Sequence, residues 1–329
     1  MKGGFIVFDD INFPSVEVVF NKYKKKFQTI FNNGKFAILY NDQAVKEYPF
    51  FLRQQLLMTN RIINKIEEST KGVFSNSMTL SDPLISVIVP TYNHQPYIAK
   101  CLDGILAQKG KFKLELIIGD DFSTDDTLAV INKYCELFQL CGVQIDVVPS
   151  TNNIGIVKNY ERCLRRSKGE FIAICEGDDF WIDCYKLQKN LDFMRKHPEC
   201  SFCFNKINIL REEEGVIEKF DLQEKLTTNI LNTESLVRSN FIGNFSCCFY
   251  EGKYLNNIPL DLFNIYTVDW MFNLYYSKFG KIGYIDETMS IYRQHEKGAW
   301  AGKPNLQQII ELHSHIDDYN KMLNFTYNK

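Results

Sequence analysis

From Leu84 onward, short apolar segments alternate with amphipathic ones, and this alternation limits the folds that the chain can adopt. The segments LISVIVP (84–90), LELIIG (114–119) and QIDVVP (144–149) are typical of buried strands. Between the first two, apolar residues recur at helical spacing: Ile98, Cys101, Leu102 and Ile105. Strands that alternate with helices predict an α/β domain with a mostly parallel central sheet and helices on both faces.

The same patterns predict the remaining elements of this domain. Ser123, with Asp126 three residues later, indicates a capping-box start of a helix. REEEGVIEKFDLQEK (211–225) is predicted to be a surface loop, with a lid or an acceptor-recognition segment as the alternative. Further strands are expected over 170–175, 201–210, 281–286 and 288–293, and further helices over 156–167, 185–196 and 267–280.

Length and local patterns suggest additional segments on either side of the α/β domain. Residues 1–70 are predicted to form a small α/β appendage, with strands in GGFIVFDDI and KFAILYND and a helix over 15–30. This order resembles the last third of class I methyltransferases, without their cofactor-binding half, and implies a structural remnant or a docking element. Residues 71–83 are predicted to be a linker, 84–302 the main domain and 303–329 a helical tail.

Composition excludes several classes of protein. A formal charge of −2 argues against binding to nucleic acid. No apolar run approaches the roughly 18 residues of a membrane span, and the N-terminus lacks the apolar core of a signal peptide. The ten cysteines fall mostly within predicted strands and helices, which predicts reduced core residues in a cytoplasmic protein. The lysine-rich stretch 22–26 is read as a solvated helix face or, alternatively, as a peripheral membrane contact.

The stretch FIAICEGDDFW (171–181) combines an apolar strand with a cluster of acids. Glu176, Asp178 and Asp179 follow the strand directly. Clustered carboxylates raise one another's pKa and repel, and a divalent cation such as Mg²⁺ or Mn²⁺ relieves that repulsion. The sequence therefore predicts a metal site that faces a diphosphate, with a solvated acidic turn as the alternative.

Two other predicted strands end in groups that suit a nucleotide. Thr91, Tyr92 and Asn93 follow the first strand, and Asp120 and Asp121 follow the second. Ligands of open α/β sheets bind beyond the carboxyl ends of the strands. There, an aromatic ring can stack on a base and a carboxylate can accept from its N–H. No GxGxxG or GxxxxGK[ST] is present, which excludes the common dinucleotide and P-loop sites.

Four further stretches follow one another over about 84–302: VIVPTYN, ELIIGDDFSTDDT, NNIGIVKNYERCLRRSKGEFIAICEGDDFW and VDWMFNLYYSKFGKIGYIDETMSIYRQHEKGAW. Taken in this order, they resemble the motifs of the family 2 inverting glycosyltransferases of GT-A fold. Glu176 occupies the first place of the metal motif, where the commonest family form has Asp, and resembles a bacterial subgroup that reads EGDDxW. The resemblance implies a GT-A fold and a nucleotide-sugar donor.

The resemblance also implies a role for each matched residue. Asp269 would be the catalytic base, and Asp178, Asp179 and His295 would bind Mn²⁺ or Mg²⁺. Asp120 would contact the base more directly than Asp121, while His94 matches no trusted position. The implied donor site comprises Pro90, Thr91, Tyr92, Asn93, Asp120, Asp121, Lys158, Asn159, Glu176, Gly177, Asp178 and Arg293.

The resemblance finally implies a reaction. A sugar would move, with inversion, from a nucleotide diphosphate, with UDP as the expected nucleotide, to a hydroxyl of a glycan or of a lipid-linked acceptor in surface polysaccharide synthesis. A non-catalytic nucleotide-sugar-binding or scaffold protein of the same fold is the alternative. The sugar, the acceptor and the oligomeric state are left open.

Overall fold

The computed structural model describes residues 82–264 and 268–298, together with 4–9, 28–32, 36–41 and parts of the tail (306, 310, 314 and 316–322). The chain divides into two compact units, Met1–Ser75 and Asn76–Lys329. In the tail, helix α7 covers Ile316–Met322. No helix among these residues is long and apolar enough to cross a membrane.

The N-terminal unit contains a small antiparallel sheet. Strands β1 (Gly4–Asp9), β2 (Gln28–Asn32) and β3 (Phe36–Asn41) are arranged with β3 in the centre. Strand β2 falls at the end of the span 15–30, so the prediction of a helix is wrong there. Thr29, Ile30 and Phe31 are strand-prone, and pairing with β3 decides their conformation. The rest of that predicted helix lies outside the described residues.

The second unit carries the α/β architecture. Its strands are β4 (Leu84–Thr91), β5 (Lys113–Asp120), β6 (Gln144–Pro149), β7 (Phe171–Ile174), β8 (Phe180–Trp181), β9 (Cys200–Arg211), β10 (Val216–Lys219), β11 (Ile230–Leu231), β12 (Cys248–Glu251) and β13 (Lys281–Gln294). They form one sheet in the order β11-β13-β9-β12-β7-β4-β5-β6, with β10 paired to β9 and β8 paired to β13. The helices are α1 (Ile98–Leu106), α2 (Thr127–Leu140), α3 (Ile156–Leu164), α4 (Lys186–Lys196), α5 (Thr233–Arg238) and α6 (Val268–Tyr276).

Strand direction brings the carboxyl ends to one edge. Strands β4, β5, β6 and β7 are mutually parallel. Strand β12 is antiparallel to both β7 and β9, and β13 is parallel to β9. Strands β9 and β13 therefore run in the same direction as β4 to β7, and the predicted mostly parallel sheet is confirmed.

Side-chain alternation along the strands produces a core on each face of the sheet. In β4, Ile88 belongs to one buried cluster, whereas Val87 and Val89 belong to the other. Helix α1 buries the four apolar residues that its sequence periodicity indicated. All ten cysteines are free thiols and seven of them are buried, as expected for reduced core residues.

Three local predictions are corrected by tertiary contacts. The capping box is wrong because Asp125 accepts the hydrogen bond from the Thr127 N–H (3.0 Å), while Ser123 Oγ accepts from the Asn93 N–H (2.9 Å). The segments 281–286 and 288–293 form one strand, β13, with register shifts against β9. Part of the predicted loop 211–225 is strand β10, which forms a hairpin with β9.

A buried polar clip joins β4 and β5 to the turn before β7. Ser86 donates to the carboxylate of Glu115, and its Oγ accepts from the Gly169 N–H at 2.7 Å. Glu115 Oε1 also accepts from the Lys168 N–H at 2.6 Å. Ser86 is fully buried and Glu115 nearly so, so these bonds satisfy groups that water does not reach.

We expect Ser86→Ala to lower the free energy of unfolding by about 1–3 kcal/mol, because it leaves the Gly169 N–H and the buried Glu115 carboxylate short of a partner. Urea denaturation measures this loss. The exposed Thr151 provides the control, and Thr151→Ala should change stability by less than about 0.5 kcal/mol. Equal stability of the two variants would contradict this role of the clip.

Candidate active site

A cavity of about 870 Å³ opens at the carboxyl edge of the sheet. Such a volume lies near the upper end of the range for ligand pockets, which leaves room for more than one small group. Its lining includes nine of the residues whose roles the sequence predicted: Pro90, Thr91, Tyr92, Asp121, Asn159, Glu176, Asp178, Asp269 and Arg293. It also includes His94, at the turn between β4 and α1, for which no role was predicted.

One end of the cavity combines an aromatic ring with a carboxylate. Tyr92 lines it and is 43% exposed. Asp121 is fixed there because its oxygens accept from the Ile154 N–H (2.8 Å) and the Gly155 N–H (2.9 Å). Gly155 has φ +86°, a conformation that favours glycine. This end can hold a flat ring and a hydrogen-bond donor on its edge.

The structure reverses the predicted roles of the two acids at the end of β5, Asp120 and Asp121. Asp121 lines the cavity, whereas Asp120 is fully buried behind it and its Oδ2 accepts from the Ser123 N–H at 3.0 Å. Successive side chains of a strand point to opposite sides, so only one of two neighbours can face a given cavity. The prediction that Asp120 faces the base more directly than Asp121 is therefore corrected.

Three other residues that were predicted to bind the sugar donor make hydrogen bonds or ion pairs with other groups of the protein. Asn93 Oδ1 accepts from the Thr124 N–H at 2.8 Å. The Lys158 ammonium pairs with Glu161 at 2.9 Å, and Lys158 is exposed outside the cavity. Asn159 is buried and lines the cavity, but its Nδ2 donates to the Gly119 carbonyl at 2.8 Å. These contacts assign Asn93 and Asn159 to loop and helix anchoring.

The acidic turn after β7 holds two carboxylates that line the cavity. Glu176 Oε1 accepts from the Tyr160 hydroxyl at 2.5 Å, and burial together with Asp179 and Asp178 raises the pKa of Glu176 well above its ordinary value. Asp178 Oδ2 lies 3.1 Å from His295 Nε2 and 3.7 Å from His94 Nε2. His94 thus belongs to the site, contrary to expectation, and burial lowers the pKa of its imidazole.

Asp179 does not line the cavity. Its Oδ2 accepts from Asn244 Nδ2 and Ser246 Oγ, both at 2.5 Å, and its Oδ1 accepts from the Arg293 N–H at 2.8 Å. It is almost fully buried, and burial and the neighbouring Asp178 raise its pKa. Asp179 was predicted as a metal ligand, but it does not line the cavity and three protein donors hold its oxygens, so Asp178 is the better placed of the two to bind a metal.

Arg293, on β13, holds the acidic turn in place. Its Nε donates to the Asp178 carbonyl at 2.7 Å, and its guanidinium pairs with Glu212. The guanidinium also lies over the rings of Tyr97 and Phe180, at 4.7 and 5.2 Å from their centroids. Arg293 lines the cavity, but most of its bonds hold the protein together.

Gly177 is required by close packing. A Cβ at this position would lie 2.8 Å from both Thr91 Oγ1 and His94 Nδ1. The Gly177 N–H donates to the Pro90 carbonyl at 3.0 Å, which fixes the turn against β4. The glycine therefore allows the end of β7 to approach the end of β4.

Asp269 lines the same cavity from the first turn of α6. Asn240 Nδ2 lies 3.4 Å from its Oδ2. Burial raises the pKa of Asp269 above its ordinary value, which makes the carboxylate a better proton acceptor once it is ionised. Asn240 was not predicted, since it lies 29 residues away in sequence and no local pattern links it to Asp269.

Asp178 and His295 are the residues best placed to hold a divalent cation. Across the described residues, no group of three or more His, Cys, Asp or Glu side chains is arranged to hold a metal ion. A carboxylate oxygen and an imidazole nitrogen at 3.1 Å nevertheless form a pair of donors. Mg²⁺ and Mn²⁺ commonly take few protein ligands and complete their shell with water and substrate phosphates, so this pair fits such an ion.

Comparison with known proteins identifies the domain. Residues 86–248 match the family described as Glycosyl transferase family 2. The chain contains a family 2 glycosyltransferase domain. Its fold is GT-A, and it matches the crystal structure of Staphylococcus aureus TarS 1–349 in complex with UDP-GlcNAc (TM-score 0.51, 22% identity, 67% of this chain and 61% of that one).

Relatives in sequence match between two fifths and two thirds of this chain. An uncharacterized protein of Mycobacterium tuberculosis is 32% identical over 220 residues, covering 66% of this chain and 60% of the relative. A putative teichuronic acid biosynthesis glycosyltransferase of Bacillus subtilis is 33% identical over 143 residues, covering 44% and 54%. The chain thus spans between half and two thirds of the length of these relatives.

Neutralising Asp178 and Asp179 one at a time should distinguish the carboxylate that stabilises the fold from the carboxylate that binds the cation. We expect Asp179→Asn to lower the free energy of unfolding by about 1–3 kcal/mol, because the amide cannot accept all three hydrogen bonds. Asp178→Asn should cost less than about 1 kcal/mol, since it removes a like charge beside Asp179. Urea denaturation compares the two variants.

Calorimetric titration with Mn²⁺ in the presence of UDP should show the opposite ranking, with the larger loss of affinity in Asp178→Asn. A greater loss of Mn²⁺ affinity in a folded Asp179→Asn protein would reverse our assignment of the two carboxylates.

Proposed function

We propose that the glycosyltransferase domain transfers a sugar, with inversion, from a UDP-sugar to a hydroxyl of a glycan or of a lipid-linked acceptor. The observation that carries this proposal is the shared cavity: Tyr92 with Asp121, Asp178 with His295, and Asp269 come from separate elements and line or adjoin one volume. These groups suit a base, a diphosphate with its cation, and an attacking alcohol.

The comparisons favour the donor and the type of product. TarS, whose structure with UDP-GlcNAc has the same fold, supports a UDP-sugar. The Bacillus subtilis relative, named for teichuronic acid biosynthesis, supports a role in the synthesis of a surface polysaccharide. A lipid-linked acceptor would be reached by peripheral contact with the membrane.

Asp269 accounts for the chemical step on the acceptor. As a half-buried carboxylate whose pKa is raised by burial, it can accept the proton of the acceptor hydroxyl while that oxygen attacks the anomeric carbon. The oxygen–carbon bond forms as the bond from the anomeric carbon to the diphosphate oxygen breaks. A single displacement of this kind inverts the configuration and needs no covalent enzyme intermediate.

The departing diphosphate gains negative charge in this step, close to the carboxylates of Glu176 and Asp178. Asp178 and His295 would hold Mn²⁺ or Mg²⁺, which supplies Lewis-acid stabilisation of that charge. Tyr92 and Asp121 would orient the nucleotide, and Gly177 keeps the acidic turn close to β4. Asp179 and Arg293 hold the turn in place.

The catalytic proposal is tested by Asp269→Asn, which keeps the shape of the side chain but removes its basicity. We expect turnover, measured as UDP release from UDP-GlcNAc or from a panel of other UDP-sugars, to fall about 10²–10⁴-fold. Binding of the donor should be retained, because Asp269 acts on the acceptor.

Asp192, an exposed carboxylate on α4, provides the control. Asp192→Asn should turn over at the wild-type rate. Wild-type turnover in Asp269→Asn would remove its assignment as the base, and a wild-type protein that binds UDP-sugars without releasing UDP would favour the non-catalytic alternative.

The role of the cation is tested by chelation. We expect EDTA to abolish UDP release and added Mn²⁺ or Mg²⁺ to restore it, because the diphosphate departs beside several carboxylates. His295→Ala should need more Mn²⁺ for half-maximal activity than wild type. Turnover that is indifferent to EDTA would refute the cation requirement.

A further inference from the structure

Part of the cavity is lined by hydrocarbon side chains that the donor and the base leave unused. We define the apolar wall as Ile207 and Ile209 of β9, Phe220 and Leu222 of the segment after β10, and Trp270 beside Asp269. Leu222 is 36% exposed. The wall therefore combines buried residues with at least one side chain that a ligand could cover.

The apolar wall is built into the fold rather than carried on a free loop. Strand β10 pairs antiparallel with β9, so the chain returns along β9 before it reaches Phe220. Buried Gln223 then fastens this segment: its Oε1 accepts from the Ile207 N–H (2.8 Å) and its Nε2 donates to the Ile242 carbonyl (3.0 Å).

Gly243 allows Ile207 and Phe220 of the wall to pack closely against the backbone. It has φ +97°, and a Cβ there would lie 2.7 Å from Ile207 Cδ1 and 3.1 Å from Phe220 Cε1. A larger residue at this position would be strained and would displace both side chains. The sequence thus places glycine where two residues of the wall meet.

The wall has little means of recognising hydroxyl groups. Four of its five side chains contain no polar atom, and the Trp270 indole N–H already donates to the Leu236 carbonyl at 2.9 Å. Branched aliphatic and aromatic surfaces gain free energy by covering hydrocarbon. A sugar or polyol alone would leave its hydroxyls against the wall without hydrogen-bond partners.

The position of the wall identifies its occupant. Trp270 follows Asp269 directly, and both line the cavity. If Asp269 deprotonates the acceptor, a claim that rests on the function proposed above, then the molecule that reaches the wall is that acceptor. We propose that the apolar wall is an acceptor subsite, and that the acceptor carries a hydrocarbon group close to the hydroxyl that is glycosylated.

Two glycosides that differ only in their hydrocarbon chain test this proposal. Octyl β-D-glucoside, kept below its micelle-forming concentration, and methyl β-D-glucoside are titrated calorimetrically into the wild-type protein saturated with UDP. Burial of a few methylenes, at about 0.8 kcal/mol each, predicts about 50-fold tighter binding of the octyl compound.

Substitutions in the wall should remove this preference. We expect Leu222→Ser to reduce the octyl-to-methyl ratio to about 10-fold or less, and Phe220→Ser to act in the same direction. Leu140, 64% exposed at the end of α2 and outside the cavity, provides the matched control. Leu140→Ser should keep the wild-type ratio.

A wild-type ratio below about threefold, or an unchanged ratio in Leu222→Ser, would overturn the hydrocarbon subsite. A separate titration of wild type with UDP distinguishes this failure from failure of the proposed function. A protein that binds UDP but shows no octyl preference loses only the acceptor inference. One that binds no UDP loses the donor assignment, and the acceptor inference with it.

Discussion

The buried carboxylate of Asp179 is the interaction on which the geometry of the site depends. It accepts hydrogen bonds from Asn244, Ser246 and the backbone of Arg293, and so joins the acidic turn to two distant segments. A buried carboxylate is costly unless its oxygens are satisfied by donors, and bonds to a charged acceptor are among the stronger ones. This network fixes the backbone of Asp178 opposite His295, which lies two residues beyond Arg293 on the chain.

Two adjacent acids therefore serve different purposes. Asp179 accepts hydrogen bonds from groups of the protein. Asp178 lines the cavity, and its Oδ2 lies 3.1 Å from His295 Nε2. Glu176 is tied to the Tyr160 hydroxyl, so the acidic turn offers the cavity two carboxylates in unlike environments. Repulsion among these carboxylates favours the binding of a cation, and the negative charge of a bound diphosphate would favour it further.

Different elements at the carboxyl edge of the sheet contribute different groups to the cavity. The ends of β4 and β5 place Tyr92 and Asp121 at one end of the cavity, and the turn after β7 places Asp178 beside them. Helix α6 and the β9–β10 hairpin supply Asp269 and the apolar wall. In the functions proposed here, the first half of the domain binds the nucleotide and the second half binds the acceptor, while the cation at the diphosphate is held by Asp178 from the first half and His295 from the second.

Much of this protein follows from its sequence, because apolar periodicity and strand-end acids are local properties. They predicted the alternation of strands and helices, the mostly parallel sheet and the residues that collect at its edge. Tertiary structure decided what local patterns do not contain. Asp121, and not Asp120, lines the cavity, and Asp179 makes its hydrogen bonds within the protein. His94 and Asn240 also line the cavity, and part of the predicted charged loop pairs with β9 as a hairpin. Each of these outcomes depends on contacts between residues far apart in the chain, where packing and hydrogen-bond partners determine which way a side chain points.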